Sequence, residues 1–74
     1  MNEVFIIMAL PHTGYGAPYV WSVFKSKEKA QKEMERITIE YGMEKTGDTD
    51  LVSTFEPSIK HRFYSFELCR FFVE

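Results

Sequence analysis

The sequence predicts an α+β domain in which an antiparallel sheet of three to four strands, in the order β-β-α-β(-β), carries one amphipathic helix on one face. The apolar run Val4 to Leu10 is too short to cross a membrane and stops at Pro11, which predicts a buried strand. Apolar residues recur with the helical period from Lys27 to Tyr41. With 74 residues, we expect a single compact domain over 1–74.

The first predicted strand is apolar on both sides. Because side chains alternate along a strand, one side carries Val4, Ile6, Met8 and Leu10, and the other carries Phe5, Ile7 and Ala9. A strand of this kind needs cover on both faces of its sheet, and one helix covers only one face. The sequence therefore predicts an apolar sheet face that a partner must cover.

The next segment predicts a hairpin. Pro11 to Pro18 is rich in turn-forming residues, and Tyr19 to Lys25 then predicts the second strand. Simple alternation places Tyr19, Trp21 and Val23 on one face of this strand and Val20, Ser22 and Phe24 on the other.

The helix has recognisable ends. Ser26 is suited to cap its first turn, and Gly42 is suited to the left-handed residue that ends it. The apolar stripe that should face the sheet consists of Ala30, Met34, Ile37 and Tyr41.

Ile39 lies opposite that stripe, with Met43 beside it. Two interpretations remain open: the following loop folds back over both side chains, or they form a small partner contact on the outer face of the helix.

After the helix, the sequence predicts a polar connection, an optional short strand and a long final strand. Met43 to Asp50 is a polar connection with a turn at Thr46 to Asp48, and Leu51 to Phe55 is an optional short strand ended by Pro57. Arg62 to Val73 predicts a long final strand that pairs with the first one and has a bulge or bend near Glu67 to Arg70.

Composition argues against several kinds of function. The net charge of −2 provides no basic surface for duplex nucleic acid or a membrane. His12, His61 and the single cysteine, Cys69, do not have metal-ligand spacing, and Cys69 lies in an apolar strand. We therefore expect no catalytic residues, no metal and no cofactor, and a protein of the cytoplasm.

One alternative is a site for a nucleotide, a small signalling ligand or single-stranded nucleic acid. A short basic cluster, Lys60 to Arg62, precedes Phe63 and Tyr64, and Tyr15 and Tyr19 flank the glycine-containing loop. Basic groups beside stacking rings suit such ligands.

The favoured interpretation is a non-enzymatic protein-binding module. An uncovered face of three or four such strands would expose an apolar patch of several hundred Å², roughly, and a symmetric homodimer would hide it. The candidate partner-binding residues are Tyr15, Trp21, Ile39, Met43, Lys60, Arg62 and Phe71.

The junction from Val23 to Ala30, with Phe24 and Ser26 just before the helix, resembles a junction in small uncharacterised proteins of phages and bacteria. These proteins have a hairpin, a helix and a closing strand, and they commonly bind and block host or defence proteins. The resemblance implies a phage-encoded inhibitor or regulator that binds its target stoichiometrically in the host cytoplasm.

Overall fold

The computed structural model describes residues 2–12, 16–58 and 64–73. It confirms an α+β fold with one helix and an antiparallel sheet, but the sheet has five strands rather than three to four. In chain order the elements are β1 (Asn2–Pro11), β2 (Tyr19–Phe24), α1 (Lys27–Tyr41), β3 (Met43–Asp48), β4 (Val52–Pro57) and β5 (Tyr64–Val73). The spatial order of the strands is β2-β1-β5-β4-β3.

As predicted, β1 lies inside the sheet and pairs antiparallel with both β2 and β5. Its pairing with β5 runs without interruption from Asn2 opposite Val73 to Pro11 opposite Tyr64. Of the bulge or bend predicted near Glu67 to Arg70, the bulge is therefore wrong. A long strand needs no bulge where its neighbour is equally long and follows the same twist.

The helix begins and ends as predicted. The Ser26 hydroxyl accepts a hydrogen bond from the Lys29 backbone N–H at 3.4 Å. Gly42 ends the helix at φ 65°, a left-handed conformation that costs a glycine little. Ala30, Met34 and Ile37 are buried against the sheet, so the predicted stripe is the contact face.

The segment after the helix differs most from the prediction. Met43–Asp48 is not a polar connection with a turn but the edge strand β3, which pairs with β4. The optional strand exists as Val52–Pro57, and its terminal proline lies opposite Met43. This β3–β4 hairpin extends the sheet beyond β5.

The core lies between α1 and one face of the sheet. Its buried members come from three strands and the helix: Ile7, Ala9, Met34, Ile37, Phe55 and Phe66. Rings of Trp21, Tyr41 and Phe66 complete it, with Trp21 edge-on to Phe66 at a centroid distance of 5.3 Å.

Candidate interaction surface

The register assigns each strand residue to one of two sheet faces. Phe5, Ile7 and Ala9 of β1 are buried beneath α1, whereas Val4 and Ile6 point to the other side. We call this other side the open face. Its apolar members are Val4, Ile6, Met8 and Leu10 of β1, Val20 and Val23 of β2, Val52 of β4, and Cys69, Phe71 and Val73 of β5.

A bulge decides which residues of β2 reach the open face. The β1–β2 register shifts between Ile7 and Met8, so that Trp21 is the extra residue between the partners of these two. Trp21 consequently lies on the same side as the helix, where it contacts Phe66 and Tyr41. The predicted grouping of Trp21 with Val23 is wrong, because simple alternation cannot anticipate the extra residue.

Four apolar side chains of the open face are exposed. Val20, Val23, Phe71 and Val73 are 52%, 56%, 50% and 45% exposed. Within the described ranges, no helix, strand or loop packs on this side, and the β3–β4 hairpin adds strands at the edge instead of folding over it.

The part of the open face nearest β3 is acidic. Glu44 lies directly opposite Glu56, and Glu67 lies on β5 across from Met8. Like charges opposite each other on neighbouring strands are unfavourable. No described salt bridge involves these three glutamates, and the open-face positions of the described strands include no Lys or Arg.

Cys69 lies near the centre of the open face and is 8% exposed. It pairs with Ile6 on one side and Val52 on the other. Burial raises the pKa of its thiol, and the nearby Glu67 carboxylate raises it further. A thiol with a raised pKa is a poor nucleophile at neutral pH.

The structure separates the predicted partner-binding residues. Phe71 lies on the open face, whereas Trp21 and Met43 pack against the core. Ile39 is 79% exposed on the outer face of the helix. The first alternative is wrong, because no described loop covers Ile39. Met43 begins a strand and packs against the core, so it does not lie beside Ile39, and a partner contact at Ile39 stays a prediction.

Tyr15, Lys60 and Arg62 lie outside the described residues, and so do His61 and Phe63 of the predicted ligand site. Val20 and Val23 were not among the predicted partner-binding residues, although the bulge makes them the most exposed open-face residues of β2. The sequence did indicate that they belong to the sheet, because both are β-branched residues in a strand that was predicted correctly.

A groove of about 560 Å³ lies on the other side of the sheet, between α1 and the β3–β4 hairpin. Its volume is within the range of small-ligand sites. Its lining carries equal numbers of cationic and acidic side chains, namely Lys27, Lys45 and Arg70 with Glu35, Asp48 and Asp50. Lys45 and Asp48 also neutralise each other at 3.5 Å, so the lining favours neither an anion nor a cation.

Other chemistry finds little support among the described residues. They contain no group of three or more His, Cys, Asp and Glu side chains that could hold a metal ion. The His12 ring lies 3.1 Å from the Ser65 hydroxyl, in a strand-end contact. In the part of the chain that is described, no helix is long and apolar enough to cross a membrane.

Comparison of this chain with protein-family models, with curated proteins and with solved structures finds no match in any of the three.

Proposed function

We propose that this chain is a non-enzymatic protein-binding module that acts through the open face of its sheet. The supporting observation is the contiguous apolar row across β2, β1 and β5, which the helix leaves uncovered because it packs on the opposite side. We estimate its apolar area at roughly 500 Å², in the size range where the largest patch of a monomer is often functional.

Covering such a patch is energetically worthwhile. At about 25 cal/mol per Å², burying roughly 500 Å² contributes on the order of 10 kcal/mol per copy before the costs of association. A second copy of the chain offers an identical apolar surface, and two-fold homodimers are the commonest oligomers. We therefore propose a homodimer. The more specific role, inhibition or regulation of a host or defence protein, rests on the resemblance of the strand-to-helix junction.

Light scattering across a protein dilution series tests this proposal. We expect the wild-type mass to change from one chain to two as the concentration rises. Val23→Glu, which places a charge in the open face, should raise the dissociation constant at least ten-fold. Ile39→Glu, at a more exposed position on the outer face of the helix, should leave it unchanged.

Circular dichroism must show that both variants remain folded. A wild-type protein that stays a single chain up to millimolar concentration would contradict the proposal of self-association. Equal effects of the two substitutions would contradict the assignment of the interface to the open face.

A further inference from the structure

The open face is apolar in one part, and in another part its only charged residues are acidic. The apolar part spans β2, β1 and the half of β5 that carries Cys69 and Phe71. The acidic part comprises Glu67 on β5, Glu56 on β4 and Glu44 on β3. Burying a carboxylate without a cation nearby is costly, and the described open-face positions provide no cation. An interface between two copies should therefore exclude β3 and β4.

On the basis of the proposed function, we propose that a second copy of this chain covers β2, β1 and β5. The two-fold axis of this dimer runs along β1. Rotation about this axis places β5 of one copy over β2 of its partner. It also carries the two β3–β4 hairpins to opposite sides of the dimer, so that Glu44 and Glu56 of each copy remain in solvent.

The other aligned arrangement of two sheets has its two-fold axis across the strands. That axis would place β4 of one copy over β4 of the partner. Glu56 and Glu44 would then be buried with no opposite charge, which the arrangement along β1 avoids. Glu67 is compatible with the axis along β1, because it would lie over β2, the edge strand of the partner, and could reach solvent past that edge.

The contact area is sufficient for a specific but modest dimer. The proposed dimer stacks β1 on β1 and, twice, the six-residue strand β2 on β5, which at a strand spacing of about 4.8 Å covers roughly 350 Å² of the sheet plane. Counting the surfaces of both copies and the relief of their side chains, the dimer would bury on the order of 1,000 Å², in the range of weak specific interfaces. We infer that dissociation is measurable at micromolar concentrations.

Distance measurement between two spin labels distinguishes the arrangements. Thr46 lies on the outermost strand β3, so we would attach a nitroxide to a Thr46→Cys variant in a Cys69→Ser background. With the axis along β1, the two labels are separated by six strand spacings, about 30 Å. With the axis across the strands they lie nearly above each other, about 15 Å apart with the sheets packed about 10 Å apart.

Substitutions give an independent readout. Val20→Glu, on β2, should raise the dissociation constant of the dimer at least ten-fold, and Glu56→Lys, on the overhanging β4, should change it less than two-fold. A dimer with a label distance of about 15 Å, or with a ten-fold response to Glu56→Lys, would overturn this arrangement and leave the proposed function standing. A chain that never dimerises would overturn this arrangement and the proposed homodimer alike.

Discussion

The indole N–H of Trp21 donates a hydrogen bond to the Glu33 carboxylate, with 3.2 Å between Nε1 and Oε2. The same carboxylate accepts hydrogen bonds from Arg36 at 2.8 and 2.9 Å. Trp21, the extra residue of the β2 bulge, is thus connected to the middle of α1. This contact holds the Trp21 ring on the covered side of the sheet, away from the open face.

We expect a double-mutant cycle with Trp21→Phe and Glu33→Ala to show a coupling free energy of about 1 kcal/mol, because the hydrogen bond has a charged acceptor and is partly buried. Urea unfolding of the four proteins measures it. Trp21→Phe keeps most of the ring contact with Phe66, so the coupling isolates the indole N–H. Additive effects of the two substitutions would show that this hydrogen bond contributes nothing.

The same carboxylate gives a pH dependence. Hydrogen bonds from Arg36 lower the pKa of Glu33, burial partly opposes them, and the Trp21 N–H adds to the lowering. Because the pKa is lower in the folded chain, the stabilisation is complete above the unfolded pKa of about 4.3. It is lost as the pH falls through the folded value. We expect the unfolding free energy of the wild type to fall more steeply than that of Glu33→Gln between pH 5 and pH 3. Parallel pH profiles would contradict this assignment.

Ser22, next to Trp21 in the bulged strand, carries a buried hydroxyl with no hydrogen-bond partner among the described residues. Burying an unpaired hydroxyl costs free energy, so we expect Ser22→Ala to stabilise the fold by up to about 1 kcal/mol. Ser53→Ala is the matched control. The Ser53 hydroxyl donates to Asp48 at 2.6 Å, and its loss should destabilise. Thermal unfolding of both variants would show opposite signs.

The parts of the fold that the sequence predicted correctly depend on local rules. The helix from Lys27 to Tyr41, its Ser26 cap and its Gly42 end follow from side-chain spacing and backbone conformation within a few residues. The interior position of β1 follows from apolar residues on both of its sides. These features need no knowledge of distant contacts.

The errors have one physical cause, which is that backbone hydrogen bonds to a neighbouring strand decide structure that the residues of the segment do not decide alone. Met43–Asp48 has little strand propensity of its own and becomes a strand because β4 supplies its hydrogen bonds. The bulge at Trp21 likewise belongs to the pairing with β1, and it moves Val23 from the face of Trp21 to the face of Val20. The need for an open apolar face was predictable, whereas the placement of Val20 and Val23 together on it was not.

Gly47, at the irregularity of the β3–β4 pairing, approaches a side chain across the hairpin. A Cβ at this position would lie 2.5 Å from the Thr54 hydroxyl oxygen, which is too close for any real contact. We expect Gly47→Ala to destabilise the wild type by about 1 kcal/mol. In a Thr54→Ala background the clash is removed, and the lower entropy of the unfolded alanine chain should make the same substitution neutral or stabilising. Chemical unfolding of the three variants measures this change of sign, and an equal cost in both backgrounds would contradict the steric explanation.

Cys69 can report whether the open face is covered in solution. Burial is the main reason that its thiol pKa is raised, with Glu67 as the second, so only a small fraction is thiolate at neutral pH. We expect a disulfide reagent to label folded Cys69 more slowly than a free cysteine at pH 8, and the rate to rise with pH beyond the point at which a free thiol levels off.

If a second copy covers this face, the labelling rate of Cys69 per chain should also fall as protein concentration increases, because labelling then requires dissociation. Val23→Glu should abolish that concentration dependence while keeping the raised pKa, since it removes the partner and not the neighbouring strands. A rate that is independent of concentration in the wild type would show that Cys69 does not lie in a self-association interface.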